Sequence, residues 1–165
     1  MEHKIISVPH SGTRSLKKIL KDRWIRFNPS KWENFPKPLD VQRTADEPYL
    51  HFHEDSGVIQ GFDGFAHVPL RWPEDVIWSW IARKVQGRHN RCGLWLMDSM
   101  QEMIEWTQDR PNVVFYNMYK LPKRRQGLNQ KCSLHKAKKS DLWQAYVEWA
   151  RDYPVMEFYR RHLGG

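Results

Sequence analysis

Three short stretches concentrate side chains that bind anions or move protons. The first is Val8-Pro9-His10-Ser11-Gly12-Thr13-Arg14-Ser15-Leu16. Ser11, Thr13 and Ser15 offer hydroxyl donors, His10 and Arg14 offer positive charge, and Gly12 lets the backbone approach a ligand closely. Where such a turn opens a helix, the first N–H groups face outward and the dipole favours an anion. The same residues also fit a capped turn with incidental hydroxyls. The pattern Gly-x4-Gly-Lys-Ser/Thr is absent, so this is not the nucleotide kinase loop. The second stretch is Arg71-Trp72-Pro73-Glu74-Asp75-Val76-Ile77-Trp78-Ser79. Arg71 can make a charge-assisted bond to a phosphate, and the Ser79 hydroxyl, about two helical turns on, can reach the same group. The alternative is an ordinary helix start with Pro73, Glu74 and Asp75 as its capping residues. The third is His51-Phe52-His53-Glu54. Alternate histidines on one strand face suit zinc, but no third ligand stands nearby. A general base fits better, because His titrates near neutral pH.

The elements around these stretches decide whether they meet. Residues 4–8 form a short apolar run that reads as a buried strand, and Leu16, Ile19, Leu20 and Trp24 follow at helical spacing. The first unit is therefore strand, tight loop, helix. Residues 26–48 are irregular and rich in Pro, Trp and Phe, and long connections of this kind are often functional. Residues 49–53 read as a second strand, with Leu50 and Phe52 on one face and His51 and His53 on the other. Residues 54–64, with Gly57, Gly61 and Gly64, read as loop, and 65–70 as a third strand. Pro73 with Glu74 and Asp75 marks a helix start. Val76, Ile77, Trp80, Ile81 and Val85 give that helix its apolar face. A further helix covers 93–108, a fourth strand covers 112–116, and Ser140 caps a helix to about 151 with Leu142, Trp143, Tyr146, Val147 and Ala150 inward. Pro154 opens a last short helix. Strands alternating with helices predict an α/β domain with a mostly parallel sheet of about four strands, and ligands in such sheets bind beyond the carboxyl ends of the strands.

Composition limits the classes. The chain has 165 residues, 27 Lys and Arg against 19 Asp and Glu, and a net charge of +8. With 40% hydrophobic and 28% charged residues it is globular rather than disordered. The length predicts a single domain over 1–165, with a core at about 4–120, a basic loop at 119–139 and helices at 140–163. No apolar run approaches the roughly 18–20 residues of a membrane-spanning helix, so no membrane partner is expected. The first seven residues lack an apolar signal stretch, and two cysteines, Cys92 and Cys132, are too few for a disulfide framework, which predicts a reducing cytoplasm. Nine tryptophans exceed what a core of this size needs, which leaves some to line a pocket. The positive balance predicts an anionic partner. Its densest run is Lys123, Arg124, Arg125, Lys131, Lys136, Lys138 and Lys139, with no acid between them.

These signals, in this order, resemble the sulfotransferase family, which transfers a sulfuryl group from 3′-phosphoadenosine 5′-phosphosulfate (PAPS). The family's first signature is a strand, Pro-Lys/Arg-Ser-Gly-Thr, and a helix. Pro9-His10-Ser11-Gly12-Thr13 matches it, with His10 at the Lys/Arg position. The second is Arg-x-Pro-x-Asp-Val-x-x-Ser after a later strand, and Arg71, Pro73, Asp75, Val76 and Ser79 fall at its offsets. Many members carry a catalytic His or Glu at the end of the intervening strand, where this chain has His51-Phe52-His53. The resemblance spans roughly 4–120 and implies a P-loop-like three-layer fold.

It further implies that residues 11–15, with His10 or Arg14, receive the 5′-phosphosulfate, and that Arg71 and Ser79 hold the 3′-phosphate. His53 is the implied base, with Glu54 as fallback and His51 at a lysine position. Arg124 and Arg125 stand where the family closes over the nucleotide. The implied product is 3′,5′-ADP, no metal is expected, and the acceptor is a hydroxyl or amine, of carbohydrate or aryl type if Trp24 to Pro48 form its wall. Three other readings stay open: a catalytically silent relative, a basic nucleic-acid-binding module without a recognisable binding signature, and a different phosphate-handling enzyme.

Overall fold

The computed structural model describes residues 2–13, 15–17, 19–20, 49–85, 93–121 and 132–164. Four strands, β1 (His3–Ser7), β2 (Tyr49–His51), β3 (Phe65–Leu70) and β4 (Val113–Asn117), form one sheet in the order β2-β1-β3-β4. Every pair is parallel, with Ser7 beside His51, Ile5 beside His67 and Pro69 beside Tyr116. Parallel strands are buried on both faces by their crossover helices. A helix α1, described at residues 13, 15–17 and 19–20, follows the β1 loop. The other helices are α2 (Ser56–Gln60), α3 (Pro73–Val85), α4 (Trp95–Thr107), α5 (Leu134–Ala137), α6 (Asp141–Asp152) and α7 (Val155–Leu163).

The pleat sorts side chains into two layers. Ile6, Val8, Leu50, Phe52, Ala66, Val68 and Leu70 face the main core, against Ile77 and Trp80 of α3, Met100 of α4, Trp143 of α6 and Tyr159 of α7. Ile5 and Tyr49 face the other way and pack with Leu16 and Leu20 of α1, joined by Tyr116, Met118 and Leu121. The result is a three-layer α/β arrangement with an all-parallel central sheet. All seven tryptophans among the described residues lie in or against the main core: Trp80, Trp106 and Trp143 inside, Trp72, Trp78, Trp95 and Trp149 at its margin. Among the described residues no helix is long and apolar enough to cross a membrane.

Several boundaries differ from the pattern in the sequence. β2 stops at His51 rather than running to 53, because Asp55 turns the chain back: its carboxylate accepts the His51 N–H at 2.7 Å and its own N–H donates to the His51 carbonyl at 2.8 Å. The stretch expected as loop then contains α2, whose Ile59 is fully buried and is followed by Phe62 at 7% exposure. Burial of those two side chains overrides the helix-breaking glycines around them. α5 falls inside the expected basic loop, with Ser133 accepting the Lys136 N–H as its cap. Ser140 caps α6 as expected, through the Trp143 N–H, but Val147 is exposed because the buried stripe runs through Leu142, Trp143 and Tyr146.

Candidate nucleotide and transfer site

In a sheet ordered 2-1-3-4, the connections from β1 and β3 leave in opposite directions, and ligands bind in the crevice opened there. The first two of the three stretches lie at that crevice. β1 ends at Ser7, and Val8 and Pro9, both buried, lead into the loop. Ser11 closes a tight turn, its N–H donating to the Val8 carbonyl at 3.2 Å and its hydroxyl donating to the same oxygen. Gly12 has φ +102°, and a Cβ there would sit 3.0 Å from the Met118 methyl of the β4 end. The positive φ calls for glycine, and the Met118 side chain packs closely over it. The Gly12 carbonyl accepts the Leu16 N–H at 2.9 Å and starts α1. Thr13 shares a 2.7 Å hydroxyl bond with Ser7, which ties the helix start to the strand end.

The β3 end meets this loop directly. Arg71 Nη1 donates to the His10 carbonyl at 2.9 Å, across 61 residues of chain. His10 Nδ1 and Ser79 Oγ share a 3.0 Å hydrogen bond, across 69 residues. Arg71 is half-buried and commits one of its five N–H donors here, which leaves others for an anion. Ser79 is 2% exposed, and the His10 ring occupies its hydroxyl. The α3 N-terminus is fixed by a residue that no motif marks: the Tyr119 hydroxyl accepts the Trp72 N–H at 2.9 Å and donates to Asp75. Burial first, then the Asp75 bond, raises the Tyr119 pKa and keeps that phenol protonated.

The histidines after β2 part company. His51 is 8% exposed and lies on the sheet face of Ser7, with Nδ1 3.8 Å from a Glu54 carboxylate oxygen. His53 does not share that strand face as the alternation predicts: it is exposed, in the turn beyond the strand, with φ +72°. Its N–H donates to Glu102 at 2.9 Å, and its ring lies 5.6 Å from the Trp95 ring. Trp95 meets Trp80 edge-on at 5.1 Å, and Trp80 meets His10 edge-on at 5.3 Å. An aromatic row thus joins the β1 loop to the β2 turn. Left-handed backbone is unfavourable outside glycine. Among the described non-glycine residues only His10, His53 and Asp109 adopt it. Two of those three are the histidines that the sequence singles out.

The structure therefore brings together His10, Ser11, Gly12, Thr13, Arg71 and Ser79, and it connects His53 to them through two indole rings. Ser15 sits in the first turn of α1, half-buried. Arg14, Arg124, Arg125 and the stretch from Trp24 to Pro48 lie outside the described residues. A cleft of about 470 Å³ lies elsewhere, lined by Gln60, Glu102, Glu105, Trp106, Gln108 and Arg110. Among the described residues it shares Glu102 with the surroundings of His53. Comparison with protein families, with curated proteins and with solved structures returns no match.

Proposed function

We propose that the chain is a sulfotransferase that uses PAPS and releases 3′,5′-ADP. The observation that carries this reading is the meeting of two distant motifs at the β1/β3 crevice, Arg71 on the His10 carbonyl and Ser79 on the His10 ring. The residues fit the donor: a glycine-opened helix start for the phosphosulfate and a guanidinium with spare N–H groups for a second phosphate. When bound, the donor supplies an activated sulfuryl group. The chain supplies position and charge, which carry most of the rate in in-line transfers of this kind. Backbone N–H groups at residues 12, 13 and 15, with the His10 imidazole, receive the charge that develops on the leaving side, while the Ser11 N–H stays on the Val8 carbonyl. His53 takes the proton of the acceptor hydroxyl or amine, a contribution of typically about 10²–10⁴-fold. One observation favours a second base: His51 pairs with Glu54 on the face of the sheet that also carries Ser7, whose hydroxyl bonds Thr13 at the start of α1. The free, buried Cys132 thiol supports a reducing cytoplasm as the setting.

Thermal unfolding with 3′,5′-ADP, against 5′-AMP and ATP at equal concentration, tests the donor site. A ligand at 100 times its dissociation constant adds about 2.7 kcal/mol. For a chain this long the expected rise is roughly 5–10 °C. The rise belongs to 3′,5′-ADP alone and disappears in Arg71→Ala. Equal shifts with all three nucleotides, or none, remove the 3′-phosphate site and the sulfotransferase reading with it.

A further inference from the structure

We infer that Glu102 is the positioning residue for His53, a step that rests on the proposed transfer reaction. His53 holds a left-handed backbone that an L side chain disfavours, so something outside the turn must hold it. Glu102 does so from α4, 49 residues away: its Oε2 accepts the His53 N–H at 2.9 Å. The same oxygen lies 2.8 Å from the Ser56 hydroxyl, which is also 3.0 Å from the His53 carbonyl. One carboxylate thus closes the turn at both of its ends. Trp95 lies seven residues before Glu102, on the same face of α4, and bounds the His53 ring at 5.6 Å. A single helix therefore fixes both the backbone and the ring of His53.

The other Glu102 oxygen, Oε1, is buried and has no hydrogen-bond partner among the described residues. A carboxylate oxygen withdrawn from water without a donor disfavours the fold.

The test uses the full chain with Glu102→Ala, Glu102→Gln and Glu102→Leu. Histidine ring resonances, with His53 assigned by its loss in His53→Gln, read the position of the imidazole against the Trp95 ring without any substrate. Glu102→Ala is expected to move the His53 resonance out of the Trp95 ring-current field and to lower turnover by roughly 10²-fold, the range of a general base. Affinity for 3′,5′-ADP stays unchanged. Glu102→Gln keeps an acceptor oxygen and restores both readouts. If Glu102→Ala does not fold, Glu102→Leu, which fills the space without an acceptor, takes its place with the same expectation. A His53 resonance that stays put in the Ala or Leu variant, or turnover that survives there, overturns the assignment. A wild-type chain that binds 3′,5′-ADP but transfers no sulfuryl group sinks the reaction instead, and the resonance then decides the positioning role by itself.

Discussion

His10 occupies the loop position where the resemblance leads one to expect Lys or Arg, and an imidazole, unlike those two, carries charge only when protonated. An anion at this loop favours the protonated ring, so donor affinity should be higher in acid than in base. The ligand's phosphates titrate as well, so the measurement needs a control with a permanent charge. Calorimetric titration of 3′,5′-ADP at about pH 5.5 and about pH 8, on the wild type and on His10→Lys, separates the two effects. The wild type is expected to lose about fivefold more affinity than the variant between those values, the scale of one half-buried charge. Parallel curves would show that His10 contributes no charge to binding. At this scale the sequence is informative because side-chain chemistry and offsets along one segment survive without a structure. Arg71, Ser79, Gly12 and His10 were legible for that reason. Glu102, Tyr119 and Trp80 were not: each acts on a residue more than 40 positions away, through a contact that no local pattern announces.

The strands themselves carry a second device, which spans three of them. His3 Nδ1 and His67 Nε2 share a 2.9 Å bond, and His67 Nδ1 and the Tyr116 hydroxyl share another of 2.9 Å. β1, β3 and β4 are thus stitched side chain to side chain. The His3–His67 bond needs one nitrogen without a proton, so both rings cannot be charged while it stands. Burial, and then the positive chain terminus, lower the His3 pKa below 6.5. The unfolded chain therefore binds this proton more readily than the folded one. The sign follows: the His3 contribution is complete above about pH 6.5 and declines as the solution becomes more acidic. Burial, and then Arg161, lower the His162 pKa in the same direction, so His3 accounts for part of the effect. Urea midpoints at about pH 7.5 and about pH 5.5 should fall more steeply for the wild type than for His3→Gln. Equal falls would mean that the ladder is not coupled to folding. Short apolar runs, with period-two alternation at 49–53, made the four strands legible, and their alternation with helices made a mostly parallel sheet legible. Such patterns could not reveal this ladder, since nothing within one strand places His67 between His3 and Tyr116. Nor could they reveal where β2 ends, because Asp55 decides that from outside the strand.

On the scale of the whole molecule, the net charge of +8 must serve either a small anion held at one crevice or a polyanion spread over a surface. The two uses respond differently to salt. A polyanion bound through many phosphates loses affinity steeply, roughly 10³–10⁵-fold between 50 and 200 mM salt for six to ten contacts. A nucleotide held by one guanidinium, one imidazole and a helix start makes few such contacts, and its affinity should fall by no more than about tenfold over that range. The fold strengthens this expectation. Arg71, His10 and Ser79 converge on one crevice from β1, β3 and α3, and they do not form a stripe along a groove. Titrating the chain with 3′,5′-ADP and with a single-stranded oligonucleotide across that salt range separates the two. Under the transferase reading the oligonucleotide binds weakly at physiological salt, and 3′,5′-ADP displaces whatever occupies the crevice. Tight oligonucleotide binding that 3′,5′-ADP cannot displace would assign the positive charge to nucleic acid, with the β1/β3 crevice reduced to a structural junction.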